Sequence, residues 1–361
     1  MNSVTLYRKY RPKTFTEVIG QKHITDTLAQ EVLTNKIGHA YLFCGTRGTG
    51  KTSVAKIFAR AVNCLKLREN GDPCNECDAC RGLLSGSVMD VLEIDAASNN
   101  GVDHVRELRN EVSFVPSAVK FRVYIIDEVH MMTSSAFNAL LKTLEEPPAH
   151  AIFILATTEA NKVPATIQSR CQRFDFRRLS GSDIVANLEK IAKQEGFSIE
   201  KDASNLIAVL SDGAMRDAIS MLESVKSASE GNITTAITRE ILGVPSPEKY
   251  IELVYAIAEN SIGDALTLSN EIINKSGDAA SFANQLLEHF RDLAVCKNLS
   301  DPSDIIERPA EVVKKLQQQA EKFTNEKIIL CMQKLCELIA LGKSAALTKA
   351  LIESGIVLLC A

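Results

Sequence analysis

Tryptophan is absent from this chain of 361 residues and aromatic side chains make up only 5%, yet the 45% hydrophobic content is ample for packed cores in two or three domains. No apolar stretch approaches the length needed to span a bilayer, which excludes a transmembrane helix. The opening run from Met1 to Arg11 lacks the apolar centre of a signal peptide, so a cytoplasmic location is expected. Neither sign of charge dominates: 41 Lys plus Arg stand against 45 Asp plus Glu, net −4, so the molecule as a whole is no polycation. Internal repeats and low-complexity stretches are also missing, and the chain is expected to end at Ala361 without a disordered tail.

What is there begins with an uneven placement of charge. Residues 1–63 carry ten basic side chains (Arg8, Lys9, Arg11, Lys13, Lys22, Lys36, Arg47, Lys51, Lys56, Arg60) against three acidic ones (Glu17, Asp26, Glu31), an excess suited to polyphosphate. Within that region Gly45-Thr46-Arg47-Gly48-Thr49-Gly50-Lys51-Thr52 fits the phosphate-loop template, between an apolar strand at 40–44 and a helical pattern to Val62. Its glycines let successive backbone N–H groups face phosphate oxygens, Lys51 neutralises the outer phosphates, and the Thr52 hydroxyl can hold Mg²⁺. A second signal is Phe121 to Glu128, a continuous apolar strand ending in two carboxylates. There Asp127 can reach the Mg²⁺ shell and Glu128 can act on water as general base, which turns binding of a nucleoside triphosphate into hydrolysis.

Four of the ten cysteines, Cys64, Cys74, Cys77 and Cys80, fall in one short segment. Their spacing lets four thiolates converge on one tetrahedral Zn²⁺, with 65–73 as the loop that folds back to bring in Cys64. Disulfides and an iron–sulfur cluster are the alternatives. The remaining six, Cys44, Cys171, Cys296, Cys331, Cys336 and Cys360, are expected to be small core residues.

Periodicity places helices at 21–36, 102–112 and 134–146, the last stopped by Pro147-Pro148, and strands at 88–94 and 151–156. From Leu179 onward strand patterns vanish and helices follow in series, with a break at Gly243 to Pro247. Three domains are therefore expected: 1–178 α/β with the cysteine insertion at 64–80, 179–243 helical, and 244–361 helical. Arg170, in Ser169-Arg170-Cys171, should lie at the edge of the α/β domain, where it is either a solvated arginine or one that reaches a neighbouring subunit's nucleotide. Arg216 opens a helix of the second domain and either pairs locally with Asp217 or reaches the γ-phosphate of its own subunit.

The phosphate loop, Asp127-Glu128-Val129-His130, Ala156-Thr157-Thr158-Glu159, Ser169-Arg170-Cys171, Gly213-Ala214-Met215-Arg216-Asp217, the four-cysteine insertion and Tyr7-Arg8-Lys9-Tyr10-Arg11-Pro12 occur together. In this set the chain resembles the gamma/tau subunits of the bacterial DNA polymerase III clamp loader, which are AAA+ ATPases. The resemblance covers essentially the whole chain. It implies an AAA+ phosphate-loop domain with a parallel sheet, then a small helical lid and a helical collar. It also implies ATP held by Gly45, Thr46, Gly48, Thr49, Gly50, Lys51, Thr52 and Ser53, with Mg²⁺ on Thr52 and Asp127, and Zn²⁺ on the four cysteines. By the same likeness Thr158 is the first sensor, Arg170 an arginine finger acting across the subunit interface, and Arg216 the second sensor. Tyr7, Tyr10, Arg11, Val18, Ile19 and Gly20 line the adenine pocket. Implied partners are further copies of the chain, delta and delta-prime subunits, the sliding clamp and primed-template DNA. DNA contacts are expected at helix amino termini near Ser98 to Gly101 and Thr166-Ile167, although Asn99-Asn100-Gly101 lacks the basic residues common in relatives. Without the linker and extra domains of the tau form, the chain is expected to be gamma-like in extent. Three rivals are a different AAA+ DNA motor, of helicase or branch-migration type, a non-hydrolysing scaffold resembling delta-prime, and a zinc-dependent DNA-binding module in which ATP is only regulatory.

Overall fold

The computed structural model describes residues 5–229, 231–276, 279–299, 301–302, 305–306, 310–344 and 349–361. Met1 to Val4 of the opening run lie outside the described residues. The chain forms two compact units, Met1–Thr234 and Thr235–Ala361.

The first unit opens with α1 (Leu6–Lys9) and α2 (Lys22–Leu33), then alternates strands and helices: β1 (Ala40–Cys44), α3 (Lys51–Val62), α4 (Asp78–Ser85), β2 (Val91–Asp95), α5 (Val102–Val112), β3 (Arg122–Asp127), α6 (Ser134–Glu145), β4 (Ala151–Thr157), α7 (Ala165–Gln168) and β5 (Gln172–Asp175). All five strands run parallel in the order β2-β3-β4-β1-β5, so β1 lies between β4 and β5 and the sheet order reverses beside it. Such a switch point leaves a crevice beyond the carboxyl ends of the strands, which is where β1 delivers the phosphate loop.

Burial on both faces explains the apolar strands. Tyr41 and Phe43 of β1 pack with α2 and α3 through Leu28, Ile57 and Phe58, whereas Leu42 and Cys44 pack on the other face with Leu108, Phe137 and Leu140 of α5 and α6. Local signals set the helix ends. Thr133 caps α6, its hydroxyl accepting the Ala136 N–H at 3.2 Å, and Pro147-Pro148 follow its end as the sequence indicates.

Three helices complete the unit: α8 (Gly181–Glu195), α9 (Lys201–Leu210) and α10 (Met215–Ala228). Ser180 caps α8, its hydroxyl accepting the Asp183 N–H at 3.1 Å, and Gly196 closes it in the left-handed conformation. The expectation that strands end at Leu179 is corrected by a small parallel pair, β6 (Ser198–Ile199) and β7 (Asn232–Ile233). The second unit is helical: α11 (Thr235–Ile241), α12 (Pro247–Ala258), α13 (Ile262–Ser276), α14 (Ala279–Asn298), α15 (Ala310–Ala320), α16 (Asn325–Ser344) and α17 (Lys349–Cys360). Its core centres on Leu253, Phe282, Leu286, Phe290, Leu293 and Ile356. Cys44, Cys296, Cys331 and Cys360 are buried as expected, but Cys336 is exposed on α16. It lies five residues from buried Cys331, which turns it to another face of the helix.

Candidate nucleotide and metal sites

The carboxyl ends of β1, β3 and β4 bring the phosphate loop, the two acidic residues and the threonine pair together. Gly50 caps α3 at φ 104°, with no atom within 4 Å of where a Cβ would stand. That space lies at the α3 amino terminus, where loop N–H groups and the helix dipole favour an anion. Gly48, at φ 79°, is required for a second reason: a Cβ there would stand 2.7 Å from the Ala214 Cβ just before α10, so only glycine lets the loop and this turn approach.

The Lys51 side chain is buried and donates to the Gly45 and Thr46 carbonyls at 2.6 and 2.9 Å. Burial pushes its ammonium below the ordinary lysine value, while the Glu128 and Asp127 charges act in the opposite sense. Thr52 Oγ1 donates to Asp127 Oδ2 at 2.9 Å, so the two residues expected to hold Mg²⁺ face one another. The other Asp127 oxygen accepts the Glu128 N–H at 3.0 Å. Glu128 takes a left-handed backbone at φ 49°, a conformation that costs free energy for a non-glycine residue. Its Oε2 accepts the Thr158 hydroxyl at 2.9 Å.

A cavity of about 1200 Å³ spans this region and continues to α1, α8 and α10. Tyr7, Tyr10, Arg11, Val18 and Ile19 line it on one side; Gly48, Thr49, Gly50, Lys51, Thr52 and Ser53 with Asp127 and Glu128 line another, and Asn187 of α8 with Met215 and Arg216 of α10 line a third. Its size suits a nucleoside triphosphate, and it joins an apolar end to a polar, phosphate-seeking one. Arg216 places its guanidinium 5.0 Å from the Tyr7 ring centre. Gly45, Thr46 and Thr158 stand behind the lining, through the bonds to Lys51 and Glu128. Arg170 lies outside it, paired with Glu145 at 2.6 Å and donating to the Thr166 carbonyl at 2.7 Å. Ile167 is buried, which leaves Thr166 as the exposed member of that turn. Ser98 and Asn100 are exposed just ahead of α5.

Several residues that frame the cavity carry no sequence signature. Buried Gln21 donates to the Thr49 carbonyl at 3.4 Å and to the Arg177 carbonyl at 2.6 Å and accepts the Arg177 N–H, joining the phosphate loop to the connection between β5 and α8. Glu195 at the end of α8 accepts from Lys9, from Tyr10 at 2.8 Å and from Lys226 at 2.9 Å. The Lys9, Lys226 and Tyr10 hydrogen bonds pull its carboxyl down to about 2.

The sulfurs of Cys64, Cys74, Cys77 and Cys80 all lie within 4.8 Å of one another, and none is in a disulfide. A tetrahedral Zn²⁺ with sulfur at about 2.3 Å separates its ligand sulfurs by about 3.8 Å, and Cys74 and Cys80 stand 3.9 Å apart. Burial pushes the Cys64 and Cys80 thiols up. At Cys74 burial acts the same way, but hydrogen bonds from the Glu76 and Cys77 N–H groups and from the Cys64 and Cys77 side chains together outweigh it and bring the thiol to about 6. The set could hold one zinc ion; its spread is tight for a multi-iron cluster. Asp72, buried in the same insertion, accepts the Phe15 N–H at 2.6 Å and the Thr16 hydroxyl at 2.7 Å. Arg60 of α3 donates to Asn75 Oδ1 at 3.2 Å and to the Lys13 carbonyl at 2.9 Å. The insertion is thus tied both to the phosphate-loop helix and to the segment that lines the cavity.

Comparison with known proteins gives the family. The family model described as DNA polymerase III, delta subunit, matches residues 20–180. A model of an RCF1/5-like AAA+ ATPase lid domain matches 186–227, and one of DNA polymerase III subunits gamma and tau domain III matches 233–360. DNA polymerase III subunit gamma of Buchnera aphidicola is 41% identical over 81% of this chain and 80% of its own length. The chain belongs to the DNA polymerase III gamma/tau family. Relatives in the same family include the tau subunit of Bacillus subtilis, 48% identical over 85% of this chain and 54% of that protein. The gamma/tau subunit of Mycobacterium tuberculosis is 39% identical over 89% of this chain and 56% of that one. The chain therefore spans about half the length of these two longer relatives. Among solved structures, the Thermotoga maritima RuvB Holliday junction branch migration motor matches 69% of this chain and 80% of its own at TM-score 0.50 and 20% identity, a likeness of fold. No helix among the described residues is long and apolar enough to cross a membrane.

Proposed function

We propose that this gamma/tau family member is an ATP-driven motor subunit of a bacterial clamp loader. In this reading it hydrolyses ATP to open a sliding clamp and place it on primed-template DNA for DNA polymerase III. The observation that carries the reading is the facing pair Thr52 and Asp127 beside Glu128, at the mouth of a phosphate loop. A bound Mg²⁺ would supply charge for the β- and γ-phosphates, with Thr52 and Asp127 as the residues that hold it. Lys51 exchanges its loop carbonyls for phosphate oxygens. Glu128, oriented by Thr158, takes a proton from the attacking water. Tyr7, Tyr10, Arg11, Val18 and Ile19 hold the base. Arg216, on the lid helix α10, reports the γ-phosphate to the lid.

Arg170 lies outside its own cavity and is one-third exposed, which supports action on a neighbouring subunit's nucleotide. Partners in this reading are further copies of the chain through the domain at 244–361, delta and delta-prime subunits, the clamp and DNA. Ser98 to Gly101 at the α5 amino terminus serve a DNA phosphate, with little ionic contribution because Asn99 and Asn100 carry no charge. The domains are 1–178, 179–243 and 244–361, the setting is cytoplasmic, and Zn²⁺ held by the four cysteines is structural. Intact Lys51, Thr52, Asp127 and Glu128 favour the motor over a scaffold like delta-prime. The test is transfer of a labelled clamp to primed circular DNA by the assembly of this chain with delta and delta-prime. ATP-dependent transfer that is lost with Lys51→Ala is expected; transfer unaffected by Lys51→Ala, or none with wild type, overturns the proposal.

A further inference from the structure

We infer that His130 is a positioning residue for Glu128, fixing its carboxylate at the cavity and tying it to the segment that leads to Arg170; this rests on the hydrolytic reading above. His130 lies in the single turn 129–131 that follows Glu128, and the left-handed Glu128 backbone turns that segment back beside β4. The imidazole is only 7% exposed. Its Nδ1 stands 3.0 Å from the Thr157 hydroxyl and 3.4 Å from Glu128 Oε2. On the opposite edge Nε2 stands 3.4 Å from Glu159 Oε1. A buried imidazole between two carboxylates is an unfavourable choice for filling space, which an apolar side chain would do at lower cost.

The arrangement supplies what Glu128 otherwise lacks. Thr158 donates to its Oε2 through the hydroxyl at 2.9 Å and the backbone N–H at 3.3 Å, so both of those restraints come from one residue. His130, 3.4 Å from the same oxygen, adds a buried restraint from a second residue. The restraint is itself anchored: the Thr157 hydroxyl accepts the Glu159 N–H at 3.0 Å, and Glu159 accepts Lys162 Nζ at 2.8 Å. Beyond it, Gln168 donates to the Ala160 and Val163 carbonyls at 3.0 and 2.8 Å, joining this turn to α7 and so to Arg170. Continuous side-chain and backbone contacts therefore run from the general base of one site to the arginine offered to the next.

The test compares wild type with His130→Asn, His130→Gln, Glu159→Gln and the double variant His130→Gln/Glu159→Gln. Asn carries a nitrogen near the place of Nδ1, and Gln one near the place of Nε2. ATP turnover is measured in the full assembly, binding of a fluorescent ATP analogue on the chain, and melting temperature on each variant. His130→Gln is expected to lower kcat about tenfold or more, as loss of a partner that orients a reacting group does. KM and analogue affinity should stay within about twofold, since ground-state binding does not use Glu128. His130→Asn should recover most of the lost turnover. Glu159→Gln should cost less, and add little in the His130→Gln background. Equal kcat in wild type and all variants, or losses that follow melting temperature or KM, would overturn the role of His130 alone. Absence of turnover by wild type would overturn the hydrolytic reading, and this inference with it.

Discussion

At the scale of single residues, the site divides its labour between groups that meet the nucleotide and groups that hold them. Glu128 illustrates both, since its own backbone is strained and its carboxylate is held by Thr158 and His130. Replacing it by Gln preserves size and most contacts but removes the base. Glu128→Gln should bind nucleotide normally while turnover falls by about 10²-fold or more, in single-turnover and binding measurements on the same preparation. A parallel loss of affinity would place Glu128 in binding instead. The phosphate loop and the Asp127-Glu128 pair are legible in sequence because phosphate cradling fixes both residue type and spacing. Gln21, Glu195 and Asp72 are not. They act through contacts to residues brought near only by folding, such as Gln21 with Arg177 and Asp72 with Phe15.

Elements with strong periodicity were predictable, while short or exposed ones were not. Strands β1, β3 and β4, apolar and buried, stand out; β5 does not, because only Phe174 of its four residues is buried. β6 and β7, two residues each, are too short to show alternation. Two predictions belong here. The first concerns Glu195, which clamps the amino-terminal arm to α8 and α10. Its folded value of about 2 lies below the ordinary 4.5, so its stabilising effect is present above 4.5 and is lost as pH falls toward about 2. The gap in melting temperature between wild type and Glu195→Gln should accordingly be open at pH 6 and close across that window; a gap independent of pH would contradict the clamp. The second concerns the cysteine insertion. Chelation, or Cys77→Ala, should release one zinc per chain and weaken nucleotide binding, because Asp72 and Arg60 hold residues 13–16 beside the cavity. Asp72→Ala should weaken nucleotide binding several-fold with zinc retained, as metal analysis and analogue titration on one sample will show. Unchanged affinity in both would confine the insertion to local stability.

For the whole molecule, near-neutral net charge and a basic amino-terminal region fit a protein whose contacts with polyanions are local. The α/β core, the lid helices and the helical second unit follow from sequence pattern, the first from apolar strand runs alternating with helical spacing and the other two from helical spacing alone. What pattern does not supply is the state of a site completed by another chain. If Arg170 serves the neighbouring nucleotide, Arg170→Ala should leave nucleotide binding by each chain intact and reduce hydrolysis in the assembly by about 10³-fold. The most direct measurement is steady-state ATPase of the chain with delta, delta-prime and sliding clamp, with and without primed-template DNA, beside a Lys51→Ala control. A clamp-loading motor predicts stimulation by clamp and primed DNA together that Lys51→Ala abolishes. Hydrolysis indifferent to clamp and primer would contradict it and favour a different AAA+ motor, and no hydrolysis in any mixture would leave a scaffold.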